Sequence, residues 1–189
     1  SVTNSGSVVA SGGAGTGVQI GCQSAGTSLP SPSPVRTISI ANSGTISANG
    51  GGVTYESYLN GPLMEPVLVP YTFWATGLSV FGSGIETATI TNAASGTIAA
   101  TGEESSAIFA ENVAIDLNNA GTISGSAGTT LDARDGFGQY YATSYLAGAI
   151  QATGTNDDRI VNTGTITGSI ALSGGADRIE NYGRIEGNV

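Results

Sequence analysis

The stretch Asp132-Ala133-Arg134-Asp135, with Tyr140 and Tyr141 just beyond it, is the densest group of chemistry-bearing side chains in this 189-residue sequence. Two carboxylates beside a guanidinium could perform general acid–base work on a polysaccharide. The same residues also make an ordinary polar loop with a local Arg–carboxylate pair. That reading is favoured, so no residue is assigned as catalytic and the chain is read as a non-enzyme. Composition closes the other common routes. There is no His and no Lys, so Ser-His-Asp, Cys-His and lysine-nucleophile arrangements cannot be assembled from these residues.

A second acidic group is Asn156-Asp157-Asp158, with Asp177 following 19 residues after Asp158. Stacked carboxylates could hold a hard cation such as calcium. The calcium-roll pattern G-G-x-G-x-D is not completed by Gly174-Gly175-Ala176-Asp177, and Arg159 and Arg178 adjoin these acids and are expected to neutralise them. No metal and no cofactor are assigned. The one cysteine, Cys22, forbids an internal disulfide and reads as a free core thiol. Ser11 to Gly17 (SGGAGTG) is glycine-rich like a phosphate loop but lacks the lysine and a following helix, so it reads as turns. A net charge of −9 repels nucleic acid and anionic membranes. No stretch approaches the ~18 apolar residues of a spanning helix, and no leader pattern opens the sequence. Both ends read as cut from something longer.

The elements that would carry such groups repeat. Arg159-Ile160-Val161-Asn162-Thr163-Gly164-Thr165-Ile166-Thr167-Gly168 returns 19 residues later as Arg178-Ile179-Glu180-Asn181-Tyr182-Gly183-Arg184-Ile185-Glu186-Gly187. Asn-x-Gly-x-Ile/Val also occurs at Asn4, Asn42 and Asn119, and a copy with two extra residues starts at Asn92. Its glycines sit at 6, 44, 96, 121, 164 and 183; the first interval, 38, leaves room for a degenerate turn near Ala25-Gly26-Thr27. A β-branched piece precedes each Asn, as in Ile38-Ser39-Ile40. Another follows each motif, as in Gly148-Ala149-Ile150-Gln151-Ala152 and Gly168-Ser169-Ile170-Ala171-Leu172.

Short β-branched runs of period two, punctuated by Gly and Asn, predict strands, and no apolar period of 3.6 competes. Three strands in each 19 to 25 residues predict an all-β fold, a parallel β-helix of about six or seven coils with lateral insertions. Inward Ile and Val should form ladders about 4.8 Å apart. Turn glycines should supply positive φ, and Asn42, Asn119, Asn162 and Asn181 should stack at one corner, amide to amide.

The run RIVNTGTITGSIALSGGADRIENYGRIEGNV (Arg159 to Val189) resembles the passenger regions of bacterial autotransporters, with about two thirds of the chain carrying such units. That resemblance implies a right-handed β-helix on the bacterial cell surface or secreted outside the cell. Passengers include adhesins, proteases and lipases, so it is specific for fold and not for activity.

The interruptions place function. A single domain spanning 1–189 is expected, with insertions at about 22–36, 50–76 and 128–146. The two larger ones hold nine of the twelve aromatic residues: Tyr55, Tyr58, Tyr71, Phe73, Trp74, Phe137, Tyr140, Tyr141 and Tyr145. Their roots lie two coils apart, about 10 Å, so they can form one lobe. Packing of that lobe is expected to occupy most of the rings. Exposed tips, together with Asp132, Arg134 and Asp135, could bind a ligand. The expected role is adhesion to a protein or carbohydrate on another cell or surface. The alternatives are a homo-oligomeric fibre built through exposed coil ends and a carbohydrate-active enzyme using the loop acids.

Overall fold

The computed structural model describes residues 1–12, 15–21, 35–60, 65–82, 85–102, 105–126, 130–134, 140–144 and 148–189; of these, 35–36, 51–60, 65–73, 130–134 and 140–144 are described by backbone pairing alone. The described residues contain strands and turns and no helix. In chain order, β1 (Val2–Asn4), β2 (Ser7–Ser11) and β3 (Thr16–Ile20) are followed by β4 (Val35–Asn42), β5 (Thr45–Asn60), β6 (Glu65–Phe73) and β7 (Ala75–Phe81). Next come β8 (Ile85–Asn92), β9 (Thr97–Gly102), β10 (Ser105–Glu111), β11 (Ala114–Asn119) and β12 (Thr122–Ser124). Then follow β13 (Thr130–Arg134), β14 (Tyr140–Ser144), β15 (Gly148–Thr153), β16 (Arg159–Asn162), β17 (Thr165–Thr167), β18 (Ile170–Leu172), β19 (Arg178–Asn181) and β20 (Arg184–Glu186).

Three parallel sheets take these strands in rotation. Sheet A orders β1-β4-β8-β11-β16-β19, sheet B orders β2-β5-β9-β12-β17-β20, and sheet C orders β3-β7-β10-β15-β18. The chain visits A, B and C in turn and each strand lies beside its predecessor in the same sheet, an arrangement consistent with a β-helix or related solenoid. β1 pairs directly with β4, Val2 opposite Ile40 and Asn4 opposite Asn42. No strand therefore intervenes between β1 and β4 in sheet A; the degenerate turn expected near Ala25-Gly26-Thr27 lies outside the described residues.

Alternation within each strand sends one set of side chains into the space between the sheets. Sheet A contributes Val2, Ile40, Ile90, Leu117, Ile160 and Ile179 in one register. Sheet B contributes Val8, Ile46, Ile98, Ile123, Ile166 and Ile185. Sheet C contributes Val18, Leu78, Ile108, Ile150 and Ile170. One cluster of buried residues joins all three sheets. Each fully buried Ile contributes roughly 1.5–3 kcal/mol, and no single pass can bury its own rung without the neighbours above and below.

From Gly44 onward the glycines of the Asn-x-Gly motif serve close approach, not the positive φ expected of them. None of the six has a positive φ, and a Cβ on Gly164 would lie 2.1 Å from the Gly121 carbonyl oxygen of the preceding pass. The left-handed glycines sit elsewhere, notably Gly50 at φ 120° and Gly102 at φ 106°, where the chain leaves sheet B.

Candidate functional site

At the corner between sheets A and B the asparagines form one continuous ladder. Nδ2 of Asn4 donates to Oδ1 of Asn42 at 2.8 Å, Asn42 to Asn92 at 2.9 Å, and Asn92 to Asn119 at 2.8 Å. Asn119 then donates to Asn162 and Asn162 to Asn181, both at 2.8 Å. Asn42, Asn92, Asn119 and Asn162 are all buried. The amides from Asn4 to Asn162 all donate the same way along the stack, and their second amide protons reach turn carbonyls such as Gly44 and Thr97. Asn4 and Asn92 join the four expected rungs. The two extra residues after Asn92 are absorbed in a tight turn, closed by Gly96 N–H on Ala93 C=O at 2.7 Å, so the register survives.

At the corner between sheets C and A the acids are engaged as backbone caps. Asp158 Oδ1 accepts from Ile115 N–H at 2.8 Å, and Asp177 Oδ1 accepts from Asp158 N–H at 3.0 Å. Asp157 Oδ1 accepts from Ala176 N–H at 2.7 Å. Burial pushes the Asp158 carboxyl above its ordinary range, the Ile115 hydrogen bond opposes this, and the charges of Asp177 and Asp157 add to it. Arg159 and Arg178 do not neutralise this trio as expected. Register carries both to the outer face of sheet A, where Arg159 meets Asp116 at 2.9 Å and Glu180 at 3.5 Å, and Arg178 meets Glu180 at 3.2 Å. Among the described residues no three His, Cys, Asp or Glu side chains are grouped to hold a metal ion.

The corner between sheets B and C carries the two large interruptions, and both contain antiparallel hairpins where loops were expected. β5 runs out of sheet B into a ladder with β6, from Gly52 opposite Phe73 to Asn60 opposite Glu65. Pro66 and Pro70 share one parity in β6, so both ring nitrogens must face away from β5, which is how a strand containing two prolines can pair at all. β13 and β14 form the second ladder, Arg134 opposite Tyr140 and Ala133 opposite Tyr141. Cα atoms of β6 and β13 approach within 8 Å.

Register sorts the candidate binding residues by face. Directly paired residues share a face, so Tyr58, Tyr71 and Phe73 fall on one face of the first hairpin and Tyr55 on the other. In the second hairpin Asp132, Arg134 and Tyr140 share a face, and Tyr141 lies on the opposite one. The acidic group and the two tyrosines, adjacent in sequence, are thus split. Cys22, Asp135, Phe137 and Tyr145 lie outside the described residues, as does most of the 22–36 insertion. Trp74, at the junction of β6 and β7, is 55% exposed. Sequence reasoning puts Trp74 in the lobe; its position at the root of the hairpin follows from β7 beginning at Ala75, the first buried residue of sheet C there.

Comparison with protein-family models, with curated proteins and with solved structures returns no match.

Proposed function

We propose that this chain is a recognition module of a bacterial surface or secreted protein, binding a protein or glycan through the corner that bears its two hairpins. The three sheets are taken to close into a right-handed β-helix of about six or seven coils, of the kind found in autotransporter passengers, which acts as a rigid rod. One observation carries the reading: both hairpins leave at the same B-to-C corner, β6 beside β13, with Trp74 exposed at the root of the first. Rigid scaffolds commonly present ligands to such side elements, and an exposed indole offers a face to a sugar ring or an anchor to a protein pocket.

Trp74 is the sole tryptophan, so ligand contact there is readable directly by fluorescence. The test is titration of the purified chain with arrayed surface glycans and with host-cell protein fractions. The expected result is saturable binding with a shift in indole emission, lost in Trp74→Ala while circular dichroism and melting stay unchanged. Binding that is indifferent to Trp74→Ala and to Tyr58→Ala would sink the assignment of the site. Turnover of a bound polysaccharide that disappears in Asp132→Asn would replace recognition by catalysis.

A further inference from the structure

The outer face of sheet B carries an ordered rank of hydroxyl groups that neither the core nor the hairpin corner uses. Ser7, Thr45, Thr97, Thr122 and Thr165 are consecutive register partners on β2, β5, β9, β12 and β17. A second rank two residues along reads Val9, Ser47, Ala99, Ser124 and Thr167. Across these five strands neither rank holds a charge or an aromatic ring. Arg184 and Glu186 appear only on β20.

In the second rank Thr167 Oγ1 donates to Glu186 Oε2 at 3.5 Å, whereas the first rank is unengaged. Serines and threonines of the neighbouring turn rank are bound to backbone: Ser95 Oγ donates to Ser43 C=O at 2.8 Å, and Thr163 Oγ1 to Asn119 C=O at 3.2 Å. By contrast, the hydroxyls of Ser7, Thr45, Thr97, Thr122 and Thr165 make no hydrogen bond to another described residue. Ser7 and Thr122 are exposed, and the other three are half-buried between their neighbours. β-Branching restricts χ1, so stacked threonines repeat one disposition of methyl and hydroxyl from strand to strand.

The spacing selects the occupant. Parallel strands set the hydroxyls about 4.8 Å apart along the stack, and alternate residues set the two ranks about 6.6 Å apart. Waters hydrogen-bonded tetrahedrally at about 2.75 Å place their second neighbours about 4.5 Å apart. The mismatch is about 0.3 Å per strand, and hydroxyl rotation and side-chain tilt can absorb it over five strands. A sugar chain would need ring-stacking aromatics or carboxylates, and the ranks offer none. We propose that the outer face of sheet B is a water-ordering surface that adsorbs to ice.

The experiment uses the purified chain in a nanolitre osmometer and in a recrystallisation assay, with Thr122→Tyr and Thr165→Tyr to interrupt the rank. Thr89→Tyr, on the outer face of sheet A, is the control. Circular dichroism confirms that each variant is folded. The expected result is faceted ice growth with a hysteresis gap for the parent chain and for Thr89→Tyr, lost in both rank variants. Ordinary disc growth of ice with the parent chain overturns the proposal, and so does full activity of both rank variants. Self-association that vanishes in Thr122→Tyr, with no effect on ice, also overturns it and makes the face a contact between copies.

Discussion

Replacing Asn119 by alanine tests the asparagine ladder at its centre. The side chain is 2% exposed; its Oδ1 accepts from Asn92 at 2.8 Å and its Nδ2 donates to Asn162 at 2.8 Å, with Gly121 C=O at 3.3 Å and Thr165 C=O at 3.4 Å. Truncation removes two good hydrogen bonds, each contributing about 1 kcal/mol net. It also leaves the Asn162 Oδ1 without its donor in a buried corner, a penalty of about 1–3 kcal/mol. Asn92 suffers less, because its Nδ2 keeps Gly96 C=O and Thr122 C=O, both at 3.2 Å. The expected cost is about 3–5 kcal/mol. Asn181→Ala is the matched comparison. That rung is exposed, and Asn162 Nδ2 retains Gly164 C=O and Arg184 C=O, so the expected cost is about 1 kcal/mol or less. Urea unfolding followed by circular dichroism measures both, with the slope m checked for constancy. Asn119→Asp sharpens the test. A carboxylate has no proton for Asn162 Oδ1 or for the two carbonyls, so this variant should be worse than alanine at neutral pH and should recover on acidification, when protonation restores a donor. Equal costs at positions 119 and 181, within about 0.5 kcal/mol, would refute the reasoning, as would an Asn119→Asp variant that behaves like Asn119→Ala at every pH.

Gly164→Ala should destabilise by about 3 kcal/mol, because the new methyl meets the Gly121 carbonyl at 2.1 Å and no flexible side chain is there to yield; thermal melting checks it. Asn112 holds φ at 55°, so Asn112→Gly should be neutral or stabilising by up to about 1 kcal/mol and Asn112→Val clearly destabilising, read by the same melts. Asp158 has a folded pKa above its ordinary value, so the folded state holds more protons than the unfolded one, and stability should fall as pH rises from the ordinary value of 3.8 through the folded pKa. Asp158→Asn keeps an acceptor for Ile115 N–H, and its advantage over the parent in urea titrations should be present at pH 7 and absent once both states of the parent are protonated.

The sheets are legible in the sequence because two signals coincide in each repeat. Period-two apolar residues set the strands, and Asn-x-Gly fixes where sheet A hands over to sheet B. Alignment of Gly148–Ala152 with Gly168–Leu172 matches the observed pairing of Ile150 with Ile170. The assumption that misleads is regular spacing. It leaves Asn92 off the ladder, although a turn can swallow two extra residues without disturbing a rung. The hairpins are hidden by composition. Pro66 and Pro70 argue against a strand when read singly, and only their shared parity, with both ring nitrogens turned from β5, makes the pairing admissible. The lobe's chemistry is only half legible, since adjacency in sequence puts Tyr140 and Tyr141 together while strand alternation sends them apart.

Successive rungs of the asparagine ladder are 38, 50, 27, 43 and 19 residues apart in sequence, yet the amide-to-amide distance stays at 2.8–2.9 Å. Contour length and axial rise are therefore uncoupled. The ladder works as a ruler that counts turns and ignores how much chain each turn spends at its corners. A lineage carrying such a fold can lengthen, exchange or delete a corner excursion in one genetic step without moving any strand of the three sheets. A single-residue deletion within Ile160-Val161-Asn162, by contrast, would turn a rung out of the stack. Variation is thereby channelled to the corners, where it changes what the molecule meets and leaves the stacked sheets intact.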